Sequence, residues 1–204
     1  MFIVAKGKKP MRKLLLLFCL LFFLQGCSSL TKLSAFTQCE FRLYGLSEPL
    51  LCGIDLSHKR SWRDFSLSEG QRIALYLLGS HLPFDVTAIV EVRNPGSTTA
   101  AVNAIQWKLK VDKTRLAMGS VNEPVEVAPS GGRVLVEVPV HADLIDLLEG
   151  DNPQTMMNFV LNMLNSGQQS SELSLQIKPS IAVGSRSVRY PGYFTISREF
   201  SSGY

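Results

Sequence analysis

Few side chains in this sequence are suited to catalysis. Its 204 residues hold only three histidines, His58, His81 and His141, and four cysteines, Cys19, Cys27, Cys39 and Cys52. No second ligand stands at zinc-like spacing from any of the histidines. The chain has no GxSxG, no phosphate-cradling GxxxxGK(S/T), no HExxH and no CxxC. Ser80 beside His81 is not a nucleophile and its base, because adjacent residues do not bring an imidazole onto a hydroxyl and no orienting acid can be identified. Glu123, Glu126 and Glu137 mark outward faces of strands and carry no paired-carboxylate spacing. A non-enzymatic protein follows, with no catalytic residue, no metal and no cofactor assigned.

Acid is missing from the N-terminus, and so is a long apolar run. Residues 1–26 contain Lys6, Lys8, Lys9, Arg12 and Lys13 but none of the 17 Asp and Glu. The unbroken apolar run LLLLFCLLFFL at 14–24 has 11 residues, where a helix crossing the hydrocarbon layer needs about 20. A basic segment, a short apolar segment and then small residues form the layout of an export signal. The four residues Leu24, Gln25, Gly26 and Cys27 resemble the lipobox of bacterial lipoproteins. That resemblance implies diacylglycerol on the Cys27 thiol and cleavage between Gly26 and Cys27; the other reading is an ordinary secretory signal that happens to contain a cysteine. Met11 is a second candidate start, since MRK before the apolar run already makes a complete signal.

Removal of such a signal changes the charge. Of 21 Lys and Arg, five lie in 1–26, which leaves 16 against 17 acidic residues, a net of −1 instead of +4. The basicity of the whole chain therefore belongs to its first residues, and with no basic stripe interleaved with aromatics a nucleic-acid partner is not expected. Residues 27–38, with SSLTKLSAFTQ rich in Ser and Thr, read as a lipidated tether. At about 3.3–3.6 Å per residue its 28–38 part holds the domain at most roughly 40 Å from the anchor. Residues 39–204 then make one domain.

From Cys39 onward the dominant period is two, as in half-buried strands. Phe84, Val86, Ala88, Val90 and Val92 alternate with polar or mixed positions; Ile105, Trp107, Leu109 and Val111 do the same, as do Val134, Val136, Val138 and Val140. Turn clusters separate these segments at NPGST (94–98), VDKT (111–114) and PSGG (129–132). Further strands are expected at 39–45, 49–56, 115–119, 124–128, 171–182 and 186–199. So many short strands predict a mainly β protein, a β-sandwich. Helices interrupt the pattern. Ser68 and Gln71 resemble a capping box for a helix over 69–78, with a stripe of Ile73, Ala74, Leu77 and Leu78 and a stop at Gly79. A second helix begins at Pro153 behind Asn152, with Met157, Val160, Leu161 and Leu164 along it; 142–150 adds a turn or two.

The order of these pieces carries a resemblance. A strand ending in VRNPG, then NAIQWKLKVDKTRLAMGSV, then VEVAPSGGRVLVEVPV and ADLIDLL, across residues 82–148, resembles a late-embryogenesis-abundant type 2 domain, also called the WHy domain. The flanks at 53–59, 82–84 and 175–181 look similar to bacterial lipoprotein members of that group. The resemblance implies an immunoglobulin-like or fibronectin-III-like sandwich with short helical insertions. It also implies a binding, protective or stress-related role with no known catalytic residues. Where the family more usually has NPN, Gly96 follows Asn94 and Pro95 and suits a turn with positive φ. Asn94 and Pro95 themselves have a structural explanation as a strand end.

Two functions remain open. One is a lipid-anchored envelope protein that binds a protein partner or supports the envelope under stress. The other is a lipid-handling protein whose sandwich and helical insertion enclose an apolar groove, with Met156, Met157, Phe159 and Met163 as its contact surface. In the lipoproteins whose box LQGC resembles, a Ser such as Ser28 after the cysteine favours the outer membrane and an acidic cluster marks surface display, so the resemblance implies an outer-membrane protein facing the periplasm. Cys39 and Cys52 are an even pair in an oxidising compartment. Either they bridge a hairpin that turns at Ser47, Glu48 and Pro49, or they stay two buried free thiols.

Overall fold

Long alternating strands need two apolar faces to bury against each other, and that is what residues 39–200 build. The structure is a computed structural model, and it describes residues 28–145, 153–164, 167 and 169–200. Gly26, Cys27 and Cys19 lie outside them. Eleven strands follow in the order β1 (Glu40–Leu51), β2 (Ile54–Asp55), β3 (Pro83–Asn94), β4 (Ala100–Val102), β5 (Ala104–Val111), β6 (Thr114–Val121), β7 (Val125–Val127), β8 (Gly132–Asp143), β9 (Ser171–Val183), β10 (Arg186–Arg189) and β11 (Phe194–Phe200). The first sheet runs β2-β1-β3-β8 and the second β6-β5-β9, with β10 and β11 sharing the far edge of β9; β4 and β7 form a small pair of their own. All pairings are antiparallel. The protein is a mainly β sandwich with short helices, as the alternation predicts.

The period-two residues form the core. Phe84, Val86, Ala88, Val90 and Val92 of β3 are all buried, opposite Ile105, Trp107, Leu109 and Val111 of β5 and Leu173, Leu175 and Ile177 of β9. Each Val, Leu, Ile or Phe among them contributes roughly 1.5–3 kcal/mol by leaving water, so a one-residue slip, which would turn the whole set outward, is strongly disfavoured. The β5–β6 turn at Asp112 and Lys113, with φ of 47° and 76°, is a two-residue hairpin turn of the kind that matches strand twist.

Several expectations need correction, among them the single strand at 186–199, which is two, β10 and β11. Residues 39–56 are not two strands around a turn at Ser47–Pro49. β1 runs unbroken along the full length of β3, and the turn residues become a bulge, with register shifts at 43–45 and 47–50 and Glu48 at φ 52°. A bulge accommodates Pro49, which has no N–H to give a ladder. The hairpin turn falls instead on Cys52 and Gly53, both at positive φ. Residues 28–38 are not an extended tether: 28–36 form a helix, α1, docked by Leu33 and Phe36, which are buried. The apolar positions Leu30, Leu33 and Phe36 have helical spacing that their Ser and Thr neighbours obscure. β8 continues to Asp143 where helix was expected; residues 146–152 lie outside the described part. Gly96 does not adopt positive φ. β4 was not expected at all.

α2 (Leu67–Leu78) is capped by Ser66 and Glu69 instead of Ser68 and Gln71. The Glu69 N–H donates to Ser66 Oγ and the Ser66 N–H to Glu69 Oε2. Gly79 ends the helix by donating to the Leu75 and Tyr76 carbonyls. Only Ile73 of its stripe packs on the core, while Leu77 and Leu78 stay exposed. α3 (Pro153–Met163) starts at Pro153 as expected.

Candidate functional site

The bulge in β1 has a consequence for the edge of the first sheet. β2 pairs only with Leu50 and Leu51, so between 40 and 49 the outer edge of β1 has no strand partner among the described residues. It faces β11, which pairs with β9 on one side only. Arg198 of β11 bridges the gap: its Nη1 donates to the Tyr44 carbonyl at 2.6 Å and the Leu43 carbonyl at 3.2 Å. Beside this bridge opens a groove of about 500 Å³. Leu43, Leu46, Leu56, Leu173 and Phe200 give it an apolar lining, the end of α3 contributes Asn162 and Met163, and Glu48, Lys59 and Arg198 supply charge. Its size is that of an ordinary ligand site. Lys59 is not loose there: it donates to Glu69 Oε2 at 2.8 Å and to the Asp64 carbonyl at 2.8 Å, and with the backbone and hydroxyl of Ser66 it holds the Glu69 carboxyl down to about 2.

The four-residue surface expected on α3 is not one surface. Phe159 is core, packed edge-on against Phe84 with ring centroids 5.6 Å apart. Met157 is exposed, Met163 is half-buried and lines the groove, and the side chain of Met156 lies outside the described part. The buried side of α3 holds Thr155, Phe159, Val160 and Asn162, with Leu164 buried just past its end, a face rotated from the expected one because two polar residues occupy it. Asn162 gains that place by donating to the Gln169 carbonyl and Ser171 Oγ, bonds no apolar-stripe rule would find.

Cys39 and Cys52 are free thiols, both buried. They stand just outside the two ends of β1, a strand of 12 residues, which separates them by about 40 Å at 3.3 Å per residue. A bridge needs Cα atoms within about 7 Å, so the hairpin disulfide is excluded by the continuity of β1, and the second alternative is the observed one. Burial pushes both thiols up to about 11, which keeps them protonated at neutral pH and unreactive. For Cys52 the Asp143 carboxylate adds to the rise and Arg72 opposes it.

Two of the three histidines pair with carboxylates. His81 Nδ1 lies 2.9 Å from Asp143 Oδ2, and His141 Nδ1 lies 2.6 Å from Asp85 Oδ1 across β3 and β8. Among the described residues no three His, Cys, Asp or Glu side chains are placed to hold a metal ion. Asp143 works as a strap. It accepts from the Leu82 and Ile145 backbone N–H groups as well as from His81. Burial alone would raise its pKa, but these three bonds together hold it below the ordinary carboxylate value. Asn94 closes the other end of β3: its side chain donates to the Thr98 and Val127 carbonyls and accepts from the Gly96 N–H. That is the strand-end role expected of it, and it needs no ligand.

No protein-family model matches the chain, and no curated protein matches it. Solved structures that are similar at low identity include the following. A crystal structure of a protein from Archaeoglobus fulgidus is 18% identical with a TM-score of 0.35, covering 60% of this chain and 87% of that one. The solution structure of a protein from Arabidopsis thaliana is 16% identical, TM-score 0.40, with 58% and 70% covered. The solution structure of a candidate late embryogenesis abundant protein is 16% identical, TM-score 0.36, with 98% and 91% covered. These superpositions are too loose to carry an argument, and the sandwich rests on its own strand pairings.

Proposed function

We propose that this protein is a non-enzymatic binding module of late-embryogenesis-abundant type 2 class, held in the bacterial outer membrane by lipid on Cys27 and facing the periplasm. Its role there is protective or stress-related, through a partner it binds. The observation that carries the binding role is the groove between the bulged edge of β1 and β11. Two strand edges with backbone groups turned outward suit an extended segment of an envelope protein, which adds main-chain hydrogen bonds to an apolar floor. The anchor is supported by the order of basic segment, apolar run and LQGC in the sequence. Several acyl chains, at about 0.8 kcal/mol per buried CH₂, make such an anchor stable where a single chain would hold only marginally.

The apolar floor of Leu43, Leu46, Leu56, Leu173 and Phe200 favours a second reading, an acyl chain in the same groove. Native mass spectrometry and lipid extraction of the folded chain separate the two. On the first reading no lipid copurifies and added fatty acid does not bind. A stoichiometric lipid that is lost on Leu46→Asp would replace the protein partner by an acyl chain. For the anchor, Cys27→Ser abolishes labelling by a metabolic fatty-acid probe; equal labelling of variant and wild type would refute it.

A further inference from the structure

The outer faces of the two sheets treat charge differently. On the first, Glu91 lies between Arg42 and Arg133 at 3.9 and 3.8 Å, Arg93 meets Glu40 at 2.9 Å, and His141 meets Asp85. On the second, Lys108 and Lys178 form no salt bridge among the described residues. The ladder pairs Gln106 with Lys178 and Lys108 with Gln176, so the two lysines are diagonal neighbours on one face. Both ammonium groups lie over the ring of Tyr193, 4.4 and 5.5 Å from its centroid. Arg189, exposed and paired with Ser180, stands on the same face one row along. Like charges gathered on neighbouring strands repel. The ring offsets part of that through its negative face, and the remaining charge is left for an anion.

The place of this cluster in the molecule is the second observation. Phe194, next to Tyr193, stacks on Tyr190 at 4.7 Å and on Phe41 at 5.9 Å between centroids. Phe41 meets Phe36 of α1 at 5.4 Å. Ring contacts from Tyr190 through Phe194 and Phe41 to Phe36 therefore join the segment that carries Tyr193 to α1. Of this face, Lys178 and Arg189 lie toward the end of the sandwich where α1 leads into β1, and Lys108 lies mid-strand. The carboxylates at that end are Glu40, already paired with Arg93, and Glu123 and Glu126 near the β6–β7 link. The β5–β6 turn with Lys113 is at the other end.

We propose that this face, with Lys108, Lys178, Tyr193 and Arg189, docks on the anionic phospholipid headgroups of the bilayer that holds the anchor. The proposal rests on the lipid-anchor reading. The occupant is a lipid surface because α1, which follows Cys27 in the sequence, packs at the end of the sandwich toward which Lys178 and Arg189 lie, and because a tyrosine among cations suits the headgroup layer. Met118, opposite Lys108 and 63% exposed, adds an apolar contact at that level. Docking fixes the orientation of the sandwich on the membrane, which a single attachment at Cys27 would leave free.

The test uses the full acylated protein in vesicles of phosphatidylcholine, with or without phosphatidylglycerol, and reads amine labelling of each lysine by mass spectrometry. Each basic residue near an anionic surface contributes about a fivefold preference and several dock together, so Lys108 and Lys178 should label at least about fivefold more slowly with phosphatidylglycerol present. Lys113 should label equally in both, and high salt should remove the difference. Equal labelling of Lys108 and Lys178 in protein that floats with both kinds of vesicle overturns the docking and leaves the anchor standing. Protein that fails to float with neutral vesicles overturns the anchor and the docking with it. Protection by soluble dextran sulfate but not by phosphatidylglycerol would assign the face to a polyanion and end the lipid proposal.

Discussion

Phe36 of α1 meets Phe41 of β1 edge to face, with ring centroids 5.4 Å apart. Phe36 is fully buried, so the segment that follows Cys27 is part of the domain and not a spacer. Phe36→Ala should cost about 3–5 kcal/mol, as for other large aromatic truncations in cores. Chemical denaturation of the chain from residue 28 onward measures it. A loss near zero would return residues 28–38 to the role of a tether.

Asp143 ties the α2–β3 connection to the end of β8 through His81, Leu82 and Ile145. Its pKa in the folded protein lies below the ordinary value, so its contribution to stability is present above the unfolded pKa of about 3.9 and is lost as pH falls through the folded one. The advantage of wild type over Asp143→Asn should therefore be present at neutrality and shrink below about pH 4. Urea melts across that range decide the matter, and an advantage that grows on acidification would contradict the assigned hydrogen bonds.

Asn94 is 1% exposed and uses both ends of its amide. Asn94→Ala leaves the Thr98 and Val127 carbonyls and the Gly96 N–H without their partner, at about 1–3 kcal/mol for each buried group that finds no water. Asn94→Asp keeps the acceptor for Gly96 but loses the donor, so it should fall at least as far. A variant as stable as wild type would show that the turn at 94–98 holds itself.

The strands were legible because burial on one face leaves a period of two in the residues themselves, as at 84–92 and 105–111. What could not be read was anything decided by pairing. Ser47, Glu48 and Pro49 carry turn chemistry, yet the length of β3 opposite them makes a bulged strand the better solution. The groove beside that bulge draws its lining from residues as far apart as 43 and 200, which only the fold brings together. Lys108 and Lys178 are 70 positions apart, and only the β5–β9 register makes them neighbours. α3 was found by its proline start and apolar content, but which face it buries depends on hydrogen bonds of Asn162 that span to 169 and 171.

Cys39 and Cys52 should behave as two inert thiols. With both pushed up to about 11 by burial, the folded chain from residue 28 onward should react with a thiol reagent slowly at neutral pH, since the thiolate is the nucleophile. Unfolding without reductant should expose two reactive groups. Reactivity that appears only after reduction would mean a disulfide, and with it a β1 unlike the one described.

Met157 and Phe159 are two residues apart on α3 and should respond oppositely to the same substitution. Met157 is 46% exposed, so Met157→Asp places a charge in water and should change stability by no more than about 0.5 kcal/mol. Phe159 is 1% exposed and packs on Phe84, so Phe159→Asp buries an unpaired carboxylate in place of a ring, a change that prevents folding or raises the carboxyl pKa to neutrality. Leu164 and Leu161 give a milder version of the same contrast. Leu164 is fully buried, and Leu164→Ala should cost about 2–5 kcal/mol. Leu161 is half-buried and should cost less, because the cavity left behind opens to solvent. Equilibrium denaturation of the four variants reads out which side of α3 faces the sheets, and equal losses at 157 and 159 would mean that the helix docks by a different face.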